Sequence, residues 1–493
     1  MVTIPSGSFF LPQYIASKIA SNTISEDEVS YAIKRGVEDA IEYKFSFVEN
    51  ESNEWFYLAK ILAETDKETA FKLATIYHIE GDNKQAIYWY KNASKLNHKK
   101  ASAELIDLYI DEGELLAAKA LLFTLKHEED ALYKLIDISI SLGDLTLLNE
   151  LILLIKTPNS NELVKELQRY RIVDTNLFNR PHSQVLNVNE CSNTVQLFAT
   201  SLSHLNKLDT LLQNIKDHSL SSFICFEPPR YISVKQLDCK YNKGSAIKCD
   251  DSMWSHVTPE INTRYIGLML DKGGANVDNG ILYLDSSDNT QVFIHELSHL
   301  LGFIDEYPLP VKHKVCQKPQ QSSFSHNISI MKPHYKGRKE DVLALLEKQV
   351  PWFSLIDAAT PILTKGEDKW IIGTPESYRL NNENVIGLFK AETCDKNKVQ
   401  AFKPTSTNTS LRYYEESFIP LYTSLLIQSP DHYLMPSYHY NVAKALFKKN
   451  KESLGLKWLN KALSRELEQA ANSDHSLSKS SINRYNKMKR GEY

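Results

Sequence analysis

The chain has 493 residues, 42% of them hydrophobic and 24% charged, which is too many for one compact domain and enough for a sizeable core. With 57 Lys and Arg against 61 Asp and Glu, the formal net charge of −4 argues against a nucleic-acid-binding protein, which would need a clustered basic excess. No run of about 18 apolar residues occurs, so we expect no membrane span.

After an N-terminal segment at residues 1–27, the stretch from 28 to 155 predicts consecutive amphipathic helices without strand-like alternation. Small and aromatic residues recur there at a fixed offset of 32, as Tyr77 and Tyr109, Gly81 and Gly113, and Ala86 and Ala118. Gly143 marks a further turn. Such a period indicates a helical solenoid in which glycine ends the first helix of each pair. Residues 73–101 resemble Sel-like repeats, relatives of the tetratricopeptide repeat, and the resemblance implies a surface for a protein partner or substrate.

The remaining chain divides into three further regions and a tail. Residues 156–184, where Asn, Pro and Ser interrupt the repeats, predict a linker with a short helix. Residues 185–430 predict a mixed α/β domain, with strand candidates at 194–199, 223–226, 265–270 and 281–284. Long helices resembling the repeats return at 431–470, before a polar tail at 471–493. The expected fold class is multidomain, α plus α/β, with a helical solenoid, a mixed-sheet domain and a C-terminal helical hairpin.

All six cysteines lie in the middle of the chain, at Cys191, Cys225, Cys239, Cys249, Cys316 and Cys394. An even, clustered set favours up to three disulfides and an oxidising compartment over the alternative of six free thiols. A periplasmic or secreted location is therefore favoured, although the first residues lack the basic region that opens a secretory signal.

The segment that carries chemistry is residues 291–307, which read QVFIHELSHLLGFIDEY. His295 and His299 are four residues apart, so both imidazoles project from one side of a helix and suit a zinc ion. Gly302 can take a positive φ and end that helix, after which Asp305 can supply a third ligand. Three protein ligands leave one position open, as a catalytic zinc requires. Glu296, next to the first ligand, is the expected general base for a water at the zinc.

Other chemistry is not indicated by the sequence. There is no Ser-centred nucleophile elbow, no phosphate-binding glycine loop and no dinucleotide fingerprint. The cysteine spacings do not form zinc knuckles. Three histidines near the motif, His313, His326 and His334, are interpreted as solvated loop residues.

The pattern His-Glu-x-x-His-x-x-Gly-x-x-Asp resembles the metzincin clan of metallopeptidases, in the variant with Asp as third ligand. The continuation Asp305-Glu306-Tyr307 is similar to the IgA-peptidase family, and the resemblance covers about residues 265–415. It implies a metzincin-like peptidase domain with one catalytic zinc. Glu306 is the alternative third ligand if the loop is shifted by one residue, and is otherwise interpreted as a salt-bridge partner or as an acceptor for a ligating histidine.

Metzincins also carry a methionine in a tight turn beneath the zinc. Met331 is the favoured candidate for this position, and the alternative is a turn near residue 411, where Leu411 would replace methionine. The tyrosine expected to stabilise the oxyanion is Tyr335 with the first alternative and Tyr413 with the second. The resemblance further implies that strand 281–284 is an edge strand above the cleft, which would pair with extended substrate; a central strand is the alternative.

We therefore predict a zinc-dependent endopeptidase with one catalytic Zn²⁺ ion, a protein or peptide substrate and a possible partner on the helical repeats. Two alternatives stay open. One is a non-catalytic repeat scaffold with a structural zinc site, against which the presence of Glu296 and of only three ligands argues. The other is a zinc amidohydrolase that acts on a non-protein amide.

Overall fold

The structure is a computed structural model that describes residues 10–155, 160–173, 193–240, 245–382, 384–471 and 475–492. The chain forms two compact units. The first comprises residues 1–139 and 153–155, and the second comprises residues 140–152 and 156–493. The metal-site candidates of the sequence all belong to the second unit.

The first unit is built from helices. They are α1 (Leu11–Ala20), α2 (Glu26–Lys34), α3 (Glu38–Phe45), α4 (Asn53–Leu62), α5 (Lys67–Ile79), α6 (Asn83–Lys95), α7 (Lys99–Asp111) and α8 (Leu115–Thr124), with α9 (Glu129–Ser141) spanning the boundary. Helices α5 and α7 begin 32 residues apart (99 − 67), and Gly81 and Gly113 follow them with φ of +80° and +76°. The predicted helices and their glycine ends are thereby confirmed, while the likeness to Sel-like repeats stays a prediction.

The helices of the second unit are numbered onward from the first. They are α10 (Leu145–Ile152), α11 (Ser160–Arg169), α12 (Leu202–Asn214), α13 (Trp254–Val257), α14 (Thr290–Leu300), α15 (Lys339–Gln349), α16 (Glu376–Leu380), α17 (Pro420–Gln428), α18 (His439–Lys448), α19 (Glu452–Ala471) and α20 (His475–Lys489).

In the described part of this unit, the strands form one larger sheet and three small ones. They are β1 (Thr194–Ala199), β2 (Cys225–Tyr231), β3 (Cys239–Lys240), β4 (Lys248–Cys249), β5 (Tyr265–Leu270), β6 (Asn276–Asp278), β7 (Ile281–Asp285), β8 (Ser329–Met331), β9 (His334–Tyr335), β10 (Leu363–Lys365), β11 (Trp370–Ile372), β12 (Phe389–Ala391) and β13 (Gln400–Lys403). The larger sheet has the order β2-β1-β5-β7-β6, and the small sheets are β10-β11-β9, β12-β13-β8 and β3-β4. Together with the helices they confirm the mixed α/β class.

The larger sheet contains four parallel strands and one antiparallel edge strand. The four strand candidates of the sequence correspond to the parallel strands β1, β2, β5 and β7. Strand β7 lies between β5 and the antiparallel β6, so the interpretation of 281–284 as the edge strand is wrong. The edge strand next to β7 is β6, which folds back on β7 through Asn279 and Gly280, whose φ angles are +42° and +86°. An Asn-Gly pair with two positive φ angles is the favoured two-residue hairpin turn.

The C-terminal helices pack into the same core as the larger sheet. Tyr438, Trp458 and Leu459 are buried in one cluster with Trp254 and with Ile266 of β5. The segment predicted as a polar tail, 471–493, contains the polar helix α20. Its Met488 joins that cluster, and its Arg484 pairs with Glu466 of α19 at 3.2 Å. Arg484 and Met488 are four residues apart on α20 and lie on the same face, so this face packs on α19 and the core cluster.

Two disulfides are described, Cys239–Cys249 and Cys316–Cys394, and Cys225 is disulfide-bonded as well. Cys191 lies outside the described residues. These disulfides fit the predicted oxidising, extracytoplasmic compartment. In the part of the chain that the structure describes, none of the helices combines the length and apolar composition that crossing a bilayer requires.

Candidate metal centre

Helix α14 positions both histidines of the motif. It begins after Asn289, whose side chain accepts a hydrogen bond from the Val292 amide at 3.0 Å and so caps the first turn. Its apolar face, with Phe293 and Leu297, is fully buried. His295 and His299 therefore lie one turn apart on the same side of a helix that cannot rotate without exposing its core face.

The helix ends where the sequence predicts. Gly302 has a φ of +92°, and the Phe303 amide donates to the Ser298 carbonyl at 3.1 Å, which is the bonding pattern of a glycine-terminated helix. The chain then turns back and brings Asp305 to the two histidines.

Three ligand atoms converge at this point. Asp305 Oδ1 lies 3.1 Å from Nε2 of His295 and 3.1 Å from Nε2 of His299, and the two Nε2 atoms are also 3.1 Å apart. Ligands of a tetrahedral zinc ion, each about 2.0–2.1 Å from the metal, lie about 3.3–3.4 Å from one another. The triangle therefore has the size that a small divalent ion requires. Among the described residues this is the group of His, Cys, Asp and Glu that could hold a metal ion.

The outer nitrogens of the two imidazoles explain why this triangle attracts a cation. Nδ1 of His295 lies 2.8 Å from the Ser410 carbonyl oxygen, and Nδ1 of His299 lies 3.1 Å from that of Phe303. A carbonyl only accepts, so each Nδ1 carries the hydrogen, and a neutral ring then presents an unprotonated Nε2. Two nitrogen lone pairs and a carboxylate oxygen thus face one point, which favours a metal ion there.

The same convergence shifts the proton affinities of the ligands when no cation is present. Burial opposes the charged form of His299, but the Asp305 carboxylate outweighs it and raises the pKa of His299 to about 10. Burial likewise opposes the charge on Asp305, yet the two imidazoles hold its pKa well below the usual range. Without a cation, the positive charge on His299 and the negative charge on Asp305 therefore stabilise each other.

Glu296 lies on α14 next to the first of these histidines and is only 4% exposed. Burial, the largest effect, raises the pKa of its carboxyl group above the usual value, and Asp305 raises it further. The two imidazoles act in the opposite direction. Glu296 is thus a buried carboxyl group on the helix that also carries the two histidines of the cluster.

Glu306 is not part of the ligand cluster. Its carboxylate is 1% exposed and accepts from Lys403 Nζ at 2.7 Å, from the Tyr422 hydroxyl and from Asn327 at 3.4 Å. This is the salt-bridge role that the sequence offers as the alternative. Its backbone amide also donates to the Leu411 carbonyl at 2.9 Å, which places the loop beside the 409–412 segment.

The two candidates for the turn beneath the metal lie in different places. Met331 is fully buried in β8, where it pairs with Gln400 of β13. Leu411 is also fully buried, and it follows Ser410, whose carbonyl oxygen holds the His295 ring. These contacts favour the Leu411 alternative over Met331.

The two tyrosines that the sequence offers as oxyanion donors are not the tyrosines that lie against His295. Tyr335 is half-buried in β9, and its hydroxyl accepts from the Lys332 amide at 3.2 Å. Tyr413 is exposed and lies under the Arg412 guanidinium. Tyr414, which the sequence interpretation missed, has its ring 4.8 Å from that of His295. Tyr307, also missed, has its ring nearly parallel to that of His295, with the ring centroids 6.3 Å apart.

The neighbouring histidines lie outside the metal cluster. His313 and His334 are exposed, as expected, although His334 lies in the short strand β9 and not in a loop. His326 is different, because it is 1% exposed and packs against Phe303 and Tyr433. Burial, the largest cause, lowers the pKa of His326 to about 3, so it is a neutral core residue.

Comparisons with known proteins do not assign a function to this site. The chain matches no protein-family model, and a search of curated proteins gave no match. The function of the protein must therefore be inferred from the geometry of its residues.

Proposed function

We propose that this protein is a zinc-dependent endopeptidase that uses His295, His299 and Asp305 as metal ligands and Glu296 as general base. The observation that carries the proposal is the convergence of three ligand atoms, each 3.1 Å from the other two, beside a buried carboxyl group of raised pKa. Two nitrogen donors and one oxygen donor suit zinc, and three ligands leave a position for substrate or water.

Zinc bound here would polarise the scissile carbonyl and lower the pKa of a water molecule to about 7. Glu296, buried on α14 next to His295, would accept the proton of the attacking water and deliver it to the leaving amine. We assign the hydrogen bond to the oxyanion to Tyr414 rather than to Tyr335, because the Tyr414 ring lies 4.8 Å from that of His295.

The arrangement around the site supports the resemblance to metzincins. A sheet with an antiparallel edge strand precedes the helix that carries the histidines, and Ser410 in the 409–412 segment contacts the His295 ring through its carbonyl oxygen. We assign the substrate-pairing role to β6, the edge strand, in place of β7. An extended peptide added to this edge would gain main-chain hydrogen bonds with little dependence on its sequence.

We further infer that the helices of the first unit bind a protein partner or present substrate, because repeated helix pairs form extended surfaces. Deletion of α1 to α8 (residues 1–124), which leaves residues 140–152 of the second unit in place, should then weaken binding of a natural partner or cleavage of a protein substrate. Unchanged binding and cleavage would contradict this role.

The test combines zinc content by elemental analysis with cleavage of an unfolded protein, in wild type, His299→Ala, Glu296→Gln and the exposed control His313→Ala. We expect about one zinc per wild-type chain, loss of zinc in His299→Ala, and zinc without cleavage in Glu296→Gln. The control should behave as wild type. Zinc with no cleavage in wild type would support the scaffold alternative, and absence of zinc would refute the proposal.

A further inference from the structure

The third ligand differs from the other two in how it is held. His295 and His299 are fixed by α14, whereas Asp305 follows the helix in a segment without regular secondary structure. The position of its carboxylate therefore depends on side chains that bind the surrounding main chain. Residues of this kind tune metal affinity because they orient the ligand before the ion arrives.

A short turn of three residues, Glu392, Thr393 and Cys394, contacts Asp305. The Thr393 hydroxyl donates a hydrogen bond to the main-chain oxygen of Asp305 at 2.8 Å, across 88 residues of sequence. Thr393 is fully buried. This hydrogen bond restrains the main chain at Asp305, because breaking it would leave a buried hydroxyl without its acceptor.

The turn is itself fastened on both sides of Thr393. Cys394 forms a disulfide with Cys316, and Glu392 accepts from the Arg412 guanidinium at 2.7 Å. The Thr393 carbonyl also accepts from the Leu309 amide at 3.0 Å. Arg412 is the last residue of the 409–412 segment. In this segment the Ser410 carbonyl contacts the His295 ring, and the Leu411 carbonyl accepts from the Glu306 amide. The turn thus links the support of the first ligand to that of the third.

We propose that Thr393, fixed in place by the Cys316–Cys394 disulfide, is the positioning residue for Asp305 and sets the affinity of the site for its metal ion. Thr393 does not touch the metal; it acts through the main chain of Asp305. The Cys316–Cys394 disulfide restrains the turn from moving away from Asp305 in the metal-free protein. This inference rests on the proposed metal site but not on peptide hydrolysis.

The chain offers matched variants for the test. Thr393→Val removes the hydroxyl but keeps the side-chain shape, and Thr393→Ser restores the hydroxyl. The double variant Cys316→Ala/Cys394→Ala removes the disulfide next to the site. Cys239→Ala/Cys249→Ala removes the disulfide between β3 and β4 and serves as the control for general loss of a cross-link.

The measurement is the zinc dissociation constant of each full-length protein, by competition with a chromophoric chelator, together with urea unfolding of the metal-free form. We expect Thr393→Val and the Cys316/Cys394 variant to bind zinc about 10–100-fold more weakly, as is usual when a supporting residue of a metal ligand is lost. Thr393→Ser should stay within about threefold of wild type, and the Cys239/Cys249 control should be unchanged. If Thr393→Val fails to fold, the comparison of the two disulfide variants still decides.

Two results would overturn the inference. One is zinc affinity near the wild-type value in a folded Thr393→Val or, where that variant does not fold, in the Cys316/Cys394 variant. The other is an equal loss in the Cys239/Cys249 control, because the effect would then reflect general stability. Wild type that binds no zinc refutes the metal site and this inference with it. Wild type that binds zinc but cleaves nothing refutes only the peptidase activity, since the affinity comparison needs no catalysis.

Discussion

The buried pair of Lys403 and Glu306 provides a direct test of how the loop that carries the third ligand is stabilised. Their charged atoms are 2.7 Å apart, and the side chains are 8% and 1% exposed. Lys403→Met keeps most of the side-chain volume but leaves the Glu306 carboxylate buried without its cation. The Tyr422 and Asn327 hydrogen bonds remain. Breaking a buried pair in this way costs about 3–5 kcal/mol, and with those two bonds intact we expect the lower end, about 3 kcal/mol.

The assay is urea unfolding of the metal-free protein at one pH, for Lys403→Met, Glu306→Gln and the double variant. The double variant removes both charges and keeps the acceptor for Tyr422, so it should be more stable than Lys403→Met by about 1–2 kcal/mol or more. A cost below about 1 kcal/mol for Lys403→Met, or a double variant no more stable than the single one, would refute this reasoning.

Three further changes test the site and its surroundings. Asp305→Asn should lose most of its zinc in elemental analysis, whereas Glu306→Gln should keep it despite lower stability, because only Asp305 faces the histidines. Tyr414→Phe should keep its zinc and lower kcat for peptide cleavage about 10–1000-fold, as loss of an oxyanion donor does. Burial, and after it the Asp278 charge, raise the pKa of Asp251 from 3.8 to about 7, so the folded protein keeps a proton that the unfolded chain releases between these values. Stability therefore falls as pH rises through this window, and Asp251→Asn should raise the urea midpoint at pH 8 but hardly at pH 4, with an upper bound of about 4 kcal/mol.

Local sequence patterns were sufficient for the elements that carry the ligands. The four-residue spacing of the histidines and the glycine after them predict α14 and its end, and the apolar runs predict the four parallel strands. The edge strand β6 was missed because it has three residues, too few for a periodic pattern. The Asn279-Gly280 pair was its available signal. Helix α20 was missed because its sequence is polar and its few buried residues depend on α19.

The surroundings of the ligands could not be derived in the same way, because they come from distant parts of the chain. Ser410 reaches His295 across 115 residues, and Thr393 reaches Asp305 across 88. No spacing rule connects residues so far apart, so Tyr414 and Thr393 carry no local signal. Tyr307 does, since it comes directly after the Asp305-Glu306 pair. For the same reason, the sequence alone does not show whether Met331 or the Leu411 turn contacts the support of His295.

Gly302 lies between the end of α14 and Asp305. Comparing its replacement with that of Gly113 separates the cost of backbone strain from the cost of a steric clash. At its φ of +92°, a Cβ atom would lie 2.6 Å from the Tyr433 carbonyl oxygen and 2.7 Å from the Tyr433 Cβ. Gly113 ends α7 with a φ of +76° and has nothing within 4 Å of the same position. Gly113→Ala therefore measures the cost of the left-handed conformation alone, about 1–2 kcal/mol.

Gly302→Ala should cost more than Gly113→Ala, because the backbone of Tyr433 must also move. The displacement should reach Phe303, whose carbonyl oxygen accepts from His299 Nδ1 at 3.1 Å and so fixes which nitrogen faces the metal. We expect zinc binding to weaken about 10-fold or more in Gly302→Ala and to stay unchanged in Gly113→Ala, measured by chelator competition. Equal stability losses with unchanged zinc affinity in both variants would mean that the helix end tolerates movement without disturbing the second ligand.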